Sequence, residues 1–144
     1  GAVELGSFSR WLGATPATQA QYAPKSPVDL ATLPCLTFRG DRPGGTWRFV
    51  KSGTVETVEV SGPIAVRSFG ILQQLVRAGQ GFANLPSFMV RDEIANQTLV
   101  RSLKDYDAPE YPVFLTFRPG ARKIARVDAV IEVAKQVVPT LFQQ

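Results

Sequence analysis

The side chains that could carry chemistry in this chain are few, and one common type is missing. The sequence of 144 residues contains no histidine and a single cysteine, Cys35. A Ser-His-Asp or Cys-His nucleophile therefore cannot be assembled from these residues. Histidine metal sites and cysteine-based zinc sites are excluded for the same reason. The sequence also lacks the G-x-x-x-x-G-K-[ST] pattern of a phosphate-binding loop.

Paired carboxylates are the remaining route to catalysis, and none is well placed. Glu56 and Glu59 are three residues apart on a predicted strand, so they point to opposite faces. Asp105, Asp107 and Glu110 share one loop but lack the glycine and the ligand spacing of a calcium loop. We predict that the chain is not an enzyme and that it holds no cofactor and no metal.

Cys35 follows Pro34 at the start of an apolar segment and has two possible roles. It could be a redox-sensing thiol, or it could be a small hydrophobic side chain of the core. There is no second cysteine to form a disulfide with it and no clear basic neighbour. These two facts favour the core role.

A helix start that follows an arginine is the best candidate for ligand binding. We predict a strand at 64–66, a turn at 67–70 and then a helix whose apolar residues recur at helical spacing: Ile71, Leu72, Leu75, Val76 and Ala78. Free backbone N–H groups and the positive end of the helix dipole favour an anion at such a start. Arg67 could pair with the anion bidentately. Ser68 could cap the helix or contact the ligand, and both roles stay open.

The elements that must position this helix start alternate between strands and helices. The predicted strands are 8–14, 33–38, 47–50, 55–60, 64–66, 82–85, 98–101 and 112–117. The predicted helices are 16–22, a turn at 26–30, 70–78, 88–95 capped by Ser87, and 122–142. Gly79 is expected to end the helix predicted at 70–78 in a left-handed conformation. Strand–helix units together with an antiparallel hairpin indicate an α/β fold.

The last helix carries an apolar seam at alternating spacings of three and four residues. Its members are Ile124, Val127, Ile131, Ala134, Val138 and Leu141, and Val130 and Val137 widen it. Such a seam covers a sheet or pairs with a helix across an oligomer interface. Pro139 is expected to kink or end the last turn.

Composition limits the remaining classes. The net charge is +4, and the basic residues are spread along the chain without a nucleic-acid motif, which favours solvated surfaces over a nucleic-acid interface. No run of 18 or more apolar residues exists, so no membrane span is predicted. At this length the chain can form one domain with a core, or two small lobes.

Taken together and in order, the motifs resemble the effector-binding (regulatory) domain of LysR-type transcriptional regulators. The resemblance covers nearly the whole chain, and its pieces lie at 5–17, 26–30, 33–38, 47–49, 60–62, 66–86, 111–117 and in the final helix. It implies a periplasmic-binding-protein-like (type 2) fold of two α/β lobes joined by two crossover strands.

The resemblance also implies an organisation. Residues 12–112 would form lobe II, while 1–11 and 113–144 would supply the crossovers and the long helix of lobe I. The first half of lobe I and the DNA-binding winged helix-turn-helix have no counterpart in these residues. We therefore expect a fragment that self-associates through 122–142, with an interface at Ile124, Val127, Ile131, Ala134 and Val138.

In the family the effector lies in the cleft between the lobes. Carried over by position, the cleft residues of this chain are Thr37, Phe38, Arg67, Ser68, Phe69, Gly70 and Phe114. Many relatives have a small amide or carboxylate residue where Arg67 stands, so the arginine departs from the commoner pattern. Trp11 and Trp47 are expected in the core.

The resemblance implies a cytoplasmic, oligomeric bacterial regulator that binds a small effector and reaches DNA only through its missing N-terminal domain. Arg67 and the helix start favour an anion as that effector. The first alternative is a periplasmic solute-binding protein, which would need a secretion signal. The second is an enzyme on the same fold, against which the lack of histidine argues. A third is a stand-alone chain that acts only in subunit interaction.

Overall fold

The chain forms an α/β fold, as predicted. The computed structural model describes residues 1–39, 45–62, 64–107 and 110–142. Within these ranges the strands are β1 (Ala2–Ala14), β2 (Thr37–Phe38), β3 (Thr46–Lys51), β4 (Thr54–Glu59), β5 (Ala65–Val66), β6 (Ala83–Pro86), β7 (Val100–Arg101) and β8 (Glu110–Thr116). The α-helices are α1 (Pro16–Tyr22), α2 (Phe69–Arg77), α3 (Ser87–Ala95) and α4 (Ala125–Leu141), with 3₁₀ turns at Pro27–Thr32 and Ala121–Lys123.

Two compact units share the chain. The larger unit is Arg10–Pro109, and the smaller one combines Gly1–Ser9 with Glu110–Gln144. Most of the predicted loop at 39–45 lies outside the described residues, as does Pro63. No helix among the described residues has both the length and the apolar character needed to cross a membrane.

The larger unit is organised around the end of β1. This strand pairs antiparallel with β6 on one side and with β7 on the other, in the order β6-β1-β7. Nearby, β2 and β5 form a parallel pair, and β3 and β4 form the predicted hairpin. The hydrophobic effect holds the unit together through two clusters of buried side chains. One contains Leu12, Leu30, Trp47, Phe49 and Phe82, and the other contains Leu72, Val76, Leu85, Val90 and Leu99.

The segment around Pro34 and Cys35 is enclosed by two glycines. A Cβ atom on Gly62 would lie 1.8 Å from the carbonyl oxygen of Cys35, and one on Gly81 would lie 2.5 Å from that of Pro34. Neither site has room for a side chain, and Gly81 also has a positive φ of 147°. The backbone of Phe82 hydrogen-bonds to this segment at Pro34 and Leu36. The predicted strand 33–38 is therefore shorter, with regular strand only at β2 and one isolated bridge from Cys35 to Phe82.

In the smaller unit β1 pairs antiparallel with β8, from Ala2 opposite Thr116 to Ser9 opposite Glu110. The helix α4 begins at Ala125, three residues later than predicted, because Ile124 is extended (ψ 119°) and a 3₁₀ turn precedes it. Pro139 lies inside the last turn of the helix and does not end it. The Ile131 side chain is the one buried member of the seam, at 1 % exposure.

Ser87 does not cap α3. The N-cap position belongs to Pro86, and Ser87 is the first helical residue, with no side-chain capping bond. The reason is that β6 runs into α3 without an intervening turn, so the backbone is already helical where a capping residue would be extended.

Candidate functional site

The start of α2 is built as the sequence predicted. Ser68 is the N-cap, with extended backbone, and its Oγ accepts a hydrogen bond of 3.3 Å from the backbone N–H of Ile71. Of the two roles considered for Ser68, the structure shows capping. The cap leaves the backbone N–H groups of Phe69 and Gly70 with no hydrogen-bond partner in the described part of the chain. Two amide donors therefore lie at the positive end of the helix dipole.

An aromatic pair lies beside this helix start. Phe69, the first residue of α2, stacks on Phe38 at the end of β2, with ring centroids 4.0 Å apart and the planes 17° apart. Phe38 is held in place because β2 pairs with β5, the strand that leads into the helix. The two predicted site residues, far apart in sequence, are brought into contact in this way.

Arg10 lies against the same aromatic pair and was not predicted as a site residue. Its guanidinium carbon lies 5.1 Å from the centroid of Phe69 and 5.9 Å from that of Phe38, which are cation–π distances. The side chain is only 4 % exposed, and its Nη2 donates a 3.0 Å hydrogen bond to the backbone oxygen of Asn84. A buried guanidinium thus lies against both rings.

A signal for Arg10 exists in the sequence. The alternation along the first strand puts Phe8, Arg10, Leu12 and Ala14 on one face. An arginine on an otherwise apolar strand face is expected to be buried with polar partners. The Asn84 side-chain oxygen is buried too and accepts no hydrogen bond from any described residue. Unsatisfied buried polar atoms of this kind are uncommon in folded proteins.

The other predicted residues are distributed as follows. Thr37 is on β2, and its backbone N–H donates to the carbonyl oxygen of Ile64 over 3.2 Å. Arg67 and Gly70 are exposed at the helix start. A Cβ on Gly70 would meet only the Ser68 Oγ, at 3.5 Å, so the site is open there. Phe114 belongs to the smaller unit, where it lies on β8 with 52 % of its surface exposed.

The helix α2 is fastened to α3 by a polar network. Arg77 donates from Nε and Nη2 to the two carboxylate oxygens of Glu93, at 2.6 and 2.8 Å, and Gln73 donates to the same carboxylate. The hydrogen bond from Arg77 is the largest cause lowering the pKa of Glu93, ahead of that from Gln73. This network orients the helix whose start forms the candidate site.

Cys35 is buried at 1 % exposure in the larger unit's core. Burial raises the pKa of its thiol to about 12. The thiolate that redox chemistry requires is therefore scarce at neutral pH. The core role predicted for Cys35 is the one that the structure supports. No group of three or more metal-ligating side chains occurs within the described ranges.

Known proteins that the chain resembles identify its family. The family model described as "LysR substrate binding domain" matches residues 1–139. The chain is 31 % identical to the HTH-type transcriptional regulator DmlR of Escherichia coli over 135 residues, and 32 % identical to the HTH-type transcriptional regulator PtxR of Pseudomonas aeruginosa over 133 residues. These alignments cover 92 % and 91 % of the chain but only 44 % and 42 % of the two regulators.

Solved structures show the same fold. The regulatory domain of CrgA from Neisseria meningitidis superposes with a TM-score of 0.79 at 22 % identity, over 95 % of this chain and 68 % of that one. The chain belongs to the LysR substrate-binding domain family. Its fold is therefore the type 2 periplasmic-binding-protein-like fold that was predicted, and the prediction that it is not an enzyme is confirmed. The alternative of a periplasmic solute-binding protein is not favoured.

Proposed function

We propose that this chain is the effector-sensing domain of a LysR-type, DNA-binding transcription regulator. The proposal rests on the family match and on the transcriptional regulators among its curated relatives. Because the chain spans less than half of those relatives, DNA binding, oligomerisation and a cytoplasmic location are proposed for the whole protein. DNA contact would come from a domain outside these residues.

The effector is proposed to bind at the start of α2, at Arg67, Ser68, Phe69 and Gly70, beside Thr37 and Phe38. The observation that carries this is the combination of two unpartnered backbone N–H groups with a stacked aromatic wall. Amide donors suit an anionic group, and the rings suit an apolar body. Ser68 takes part by holding the helix start in shape, since its oxygen is committed to the cap.

A small carboxylate is the ligand class that fits best. The carboxylate would accept hydrogen bonds from Phe69 and Gly70 and could pair with Arg67, which is exposed at the same turn. The buried guanidinium of Arg10 behind the rings adds positive charge to the same region. Phe114, from the smaller unit, stays a proposed contact on the basis of its position in the family.

Regulation is proposed to follow from differential binding. A ligand can shift the balance between two conformations of a regulator only by binding one of them more tightly. Contacts at the start of α2 would supply that difference, and the Arg77–Glu93 pair would pass it on to α3.

The test is a titration with a panel of aliphatic and aromatic carboxylates, monitored by the amide resonances of Phe69 and Gly70. We expect saturable shifts for at least one member and roughly tenfold weaker binding in Arg67→Ala. Arg118→Ala, an exposed arginine of the smaller unit, is the matched control and should bind as the wild type does.

Two results would count against the proposal. Equal affinity in wild type and Arg67→Ala would remove the role of that arginine. The absence of any saturable shift at Phe69 and Gly70, across the panel, would remove the site itself.

We also propose self-association through α4, at a position shifted from the predicted seam. Of the predicted interface residues, Ile131 is buried and has no surface to offer a partner. Val127, Ala134 and Val138 are half-buried, and Ile124 is exposed. Between Ile124 and Leu141, which are each 50 % exposed, the large exposed apolar residues are Val130, Val133 and Val137, at 62 %, 58 % and 51 %. These three valines line a groove of about 420 Å³ together with Ala129, Ala134 and Val138. A contiguous apolar strip of this kind is uncommon on a monomer surface.

A further inference from the structure

The larger unit contains a second concave region that shares no residue with the start of α2. It is a pocket of about 400 Å³ formed where the end of α1, the hairpin and the turn after β7 meet. Its lining is Gln19, Pro24, Lys25, Lys51, Arg101, Leu103, Lys104, Asp105 and Tyr106. Neither the family match nor the names of the relatives assigns a role to it.

The charge of the lining is strongly positive. Four of its side chains are cationic, from three separate stretches of chain, and Asp105 is its one acidic residue. Lys25, Lys51 and Lys104 form no ion pair with any carboxylate of the described residues. Unpaired cations that converge on one cavity favour an anion there, because the cavity walls exclude some of the screening solvent.

Arg101 is fixed in position inside this pocket. Its Nη2 donates a 3.1 Å hydrogen bond to the backbone oxygen of Tyr106, and its guanidinium carbon lies 5.0 Å from the ring centroid of Trp11. Burial lowers its pKa, although Arg remains charged at any physiological pH. Lys51 Nζ lies 5.0 Å from the Tyr106 ring centroid, so Tyr106 contacts one cation through its ring and another through its backbone oxygen.

Four acidic groups lie near the pocket: Asp29, Glu56, Asp105 and Asp107, the last of which raises the pKa of Arg101 against the larger effect of burial. The carboxylate of Asp29 accepts backbone hydrogen bonds from Lys25 and Ser26. After burial, a hydrogen bond to Glu56 is the main cause that raises the pKa of Tyr106, with smaller contributions from Asp105 and Asp29. These groups act on the tyrosine hydroxyl and reduce the positive field of the pocket without filling it.

Two further observations point to an occupant. The Oε1 atom of Gln19 is buried and has no hydrogen-bond partner among the described residues. Leu103 has a φ of 49°, a conformation that is unfavourable for a bulky residue. Local strain of this kind is tolerated more often at binding sites than elsewhere.

We propose that this pocket is a second ligand site, for a small dianion such as phosphate or a dicarboxylate. Lys51, Lys104 and Arg101 would carry the anionic oxygens, with Lys25 at the rim. Gln19 would accept a hydrogen bond from a protonated oxygen of the ligand. Inorganic phosphate near neutral pH offers such an O–H, and succinate does not, so Gln19 distinguishes the two sources.

The experiment is a titration of the 144-residue chain, followed by two-dimensional NMR at constant ionic strength, with inorganic phosphate and separately with succinate. We expect saturable shifts at the amides of Lys51, Leu103 and Lys104 and at the Gln19 side chain. Lys51→Met and Lys104→Met should each weaken binding about tenfold. Lys123→Met, an exposed lysine of the smaller unit, should not change it.

The possible results distinguish a phosphate site, a general dianion site and no site. Saturation by phosphate that Gln19→Leu weakens, with little response to succinate, assigns the site to phosphate groups. Saturation by both anions, without an effect of Gln19→Leu, assigns it to dianions in general. Linear shifts of equal size in wild type, Lys51→Met and Lys104→Met would overturn the proposal, as would shifts confined to Phe69 and Gly70.

Discussion

At the level of single residues, Ser68 has the most defined task in the candidate site. Its hydroxyl oxygen satisfies the Ile71 amide, so the helix begins at a fixed point and the amides of Phe69 and Gly70 are left for a ligand. The choice between capping and ligand contact could not be made from the sequence, because a serine before a helix is suited to both.

Replacing Ser68 separates stability from binding. Ser68→Ala should lower the free energy of unfolding by about 1 kcal/mol, because the cap is lost. Ser68→Asp should keep the cap and the stability, yet weaken the binding of an anion by placing a like charge beside it. Urea unfolding together with the carboxylate titration measures both quantities. Equal anion affinity in Ser68→Asp and wild type would argue against an anionic effector at this turn.

Gly70 can be tested in the opposite direction. A methyl group there meets only the Ser68 Oγ at 3.5 Å and lies in a helical backbone, so Gly70→Ala should stabilise the fold by about 0.5 kcal/mol. If a ligand approaches the backbone at this point, the same change should reduce its affinity. Thermal unfolding checks the first expectation, and a destabilised variant would contradict the open surroundings of Gly70.

Cys35 should be unreactive in the folded chain. Burial raises the pKa of its thiol to about 12, and the residue is almost inaccessible. We expect a thiol reagent to label it slowly in buffer near pH 7.5 and quickly in denaturant, since only the thiolate reacts. Labelling at similar rates under both conditions would show that the core opens locally around β2.

Among the elements, the contact between α2 and α3 has a pH dependence that can be stated in advance. The pKa of Glu93 is lowered in the folded state, chiefly by the hydrogen bond from Arg77. The carboxylate therefore contributes stability above its unfolded pKa, and that contribution is lost as the pH falls through its lower, folded value.

Glu93→Gln should therefore reduce stability at pH 7 and have progressively less effect in the acid range, below the usual pKa of a glutamate. Denaturant unfolding at a series of pH values measures the difference between the variant and wild type. Glu59→Gln, at an exposed position on β4, is the control: it removes a carboxylate that lies on neither α2 nor α3 and should leave the stability at pH 7 close to that of the wild type. A constant difference at every pH would mean that the ion pair does not couple to folding.

The elements themselves were largely predictable, and the failures have physical reasons. The turn chemistry of Ser68 and Gly79 located α2 to within one residue. The strand predicted at 33–38 was too long because apolar character signals burial, while strand pairing also needs a neighbour. Arg10 was overlooked although it shares a strand face with Leu12 and Ala14, because the sequence does not show which distant groups enclose its guanidinium. Here they are two aromatic rings and a backbone oxygen.

At the level of the whole molecule, the chain divides into a larger and a smaller unit. The seam on the last helix was recognised from its spacing, but the spacing could not show which valines face solvent. Seam positions three and four residues apart occupy one stripe, and Val130 and Val133 lie on its border. The structure leaves those border residues exposed and buries Ile131.

Self-association can be tested at the exposed valines of the last helix. Val133→Lys with Val137→Lys should shift the chain toward the monomer, because two charges would have to be buried in an apolar contact. Light scattering at micromolar concentrations of the chain measures the mass of the species in solution. Lys135→Met with Glu132→Gln, on the charged side of the same helix, is the control and should leave the mass unchanged. A wild-type chain that is already monomeric throughout this range would end the proposal.

The two glycines that enclose Pro34 and Cys35 have a genetic consequence. Every single-base change of a glycine codon that alters the amino acid either adds a side chain or ends translation. At Gly62 and Gly81 any side chain would run into a carbonyl oxygen of the enclosed segment. A search for inactive alleles of the gene should therefore recover changes at these two codons repeatedly. Such alleles would resemble losses of ligand response, although neither codon specifies a residue that a ligand would touch.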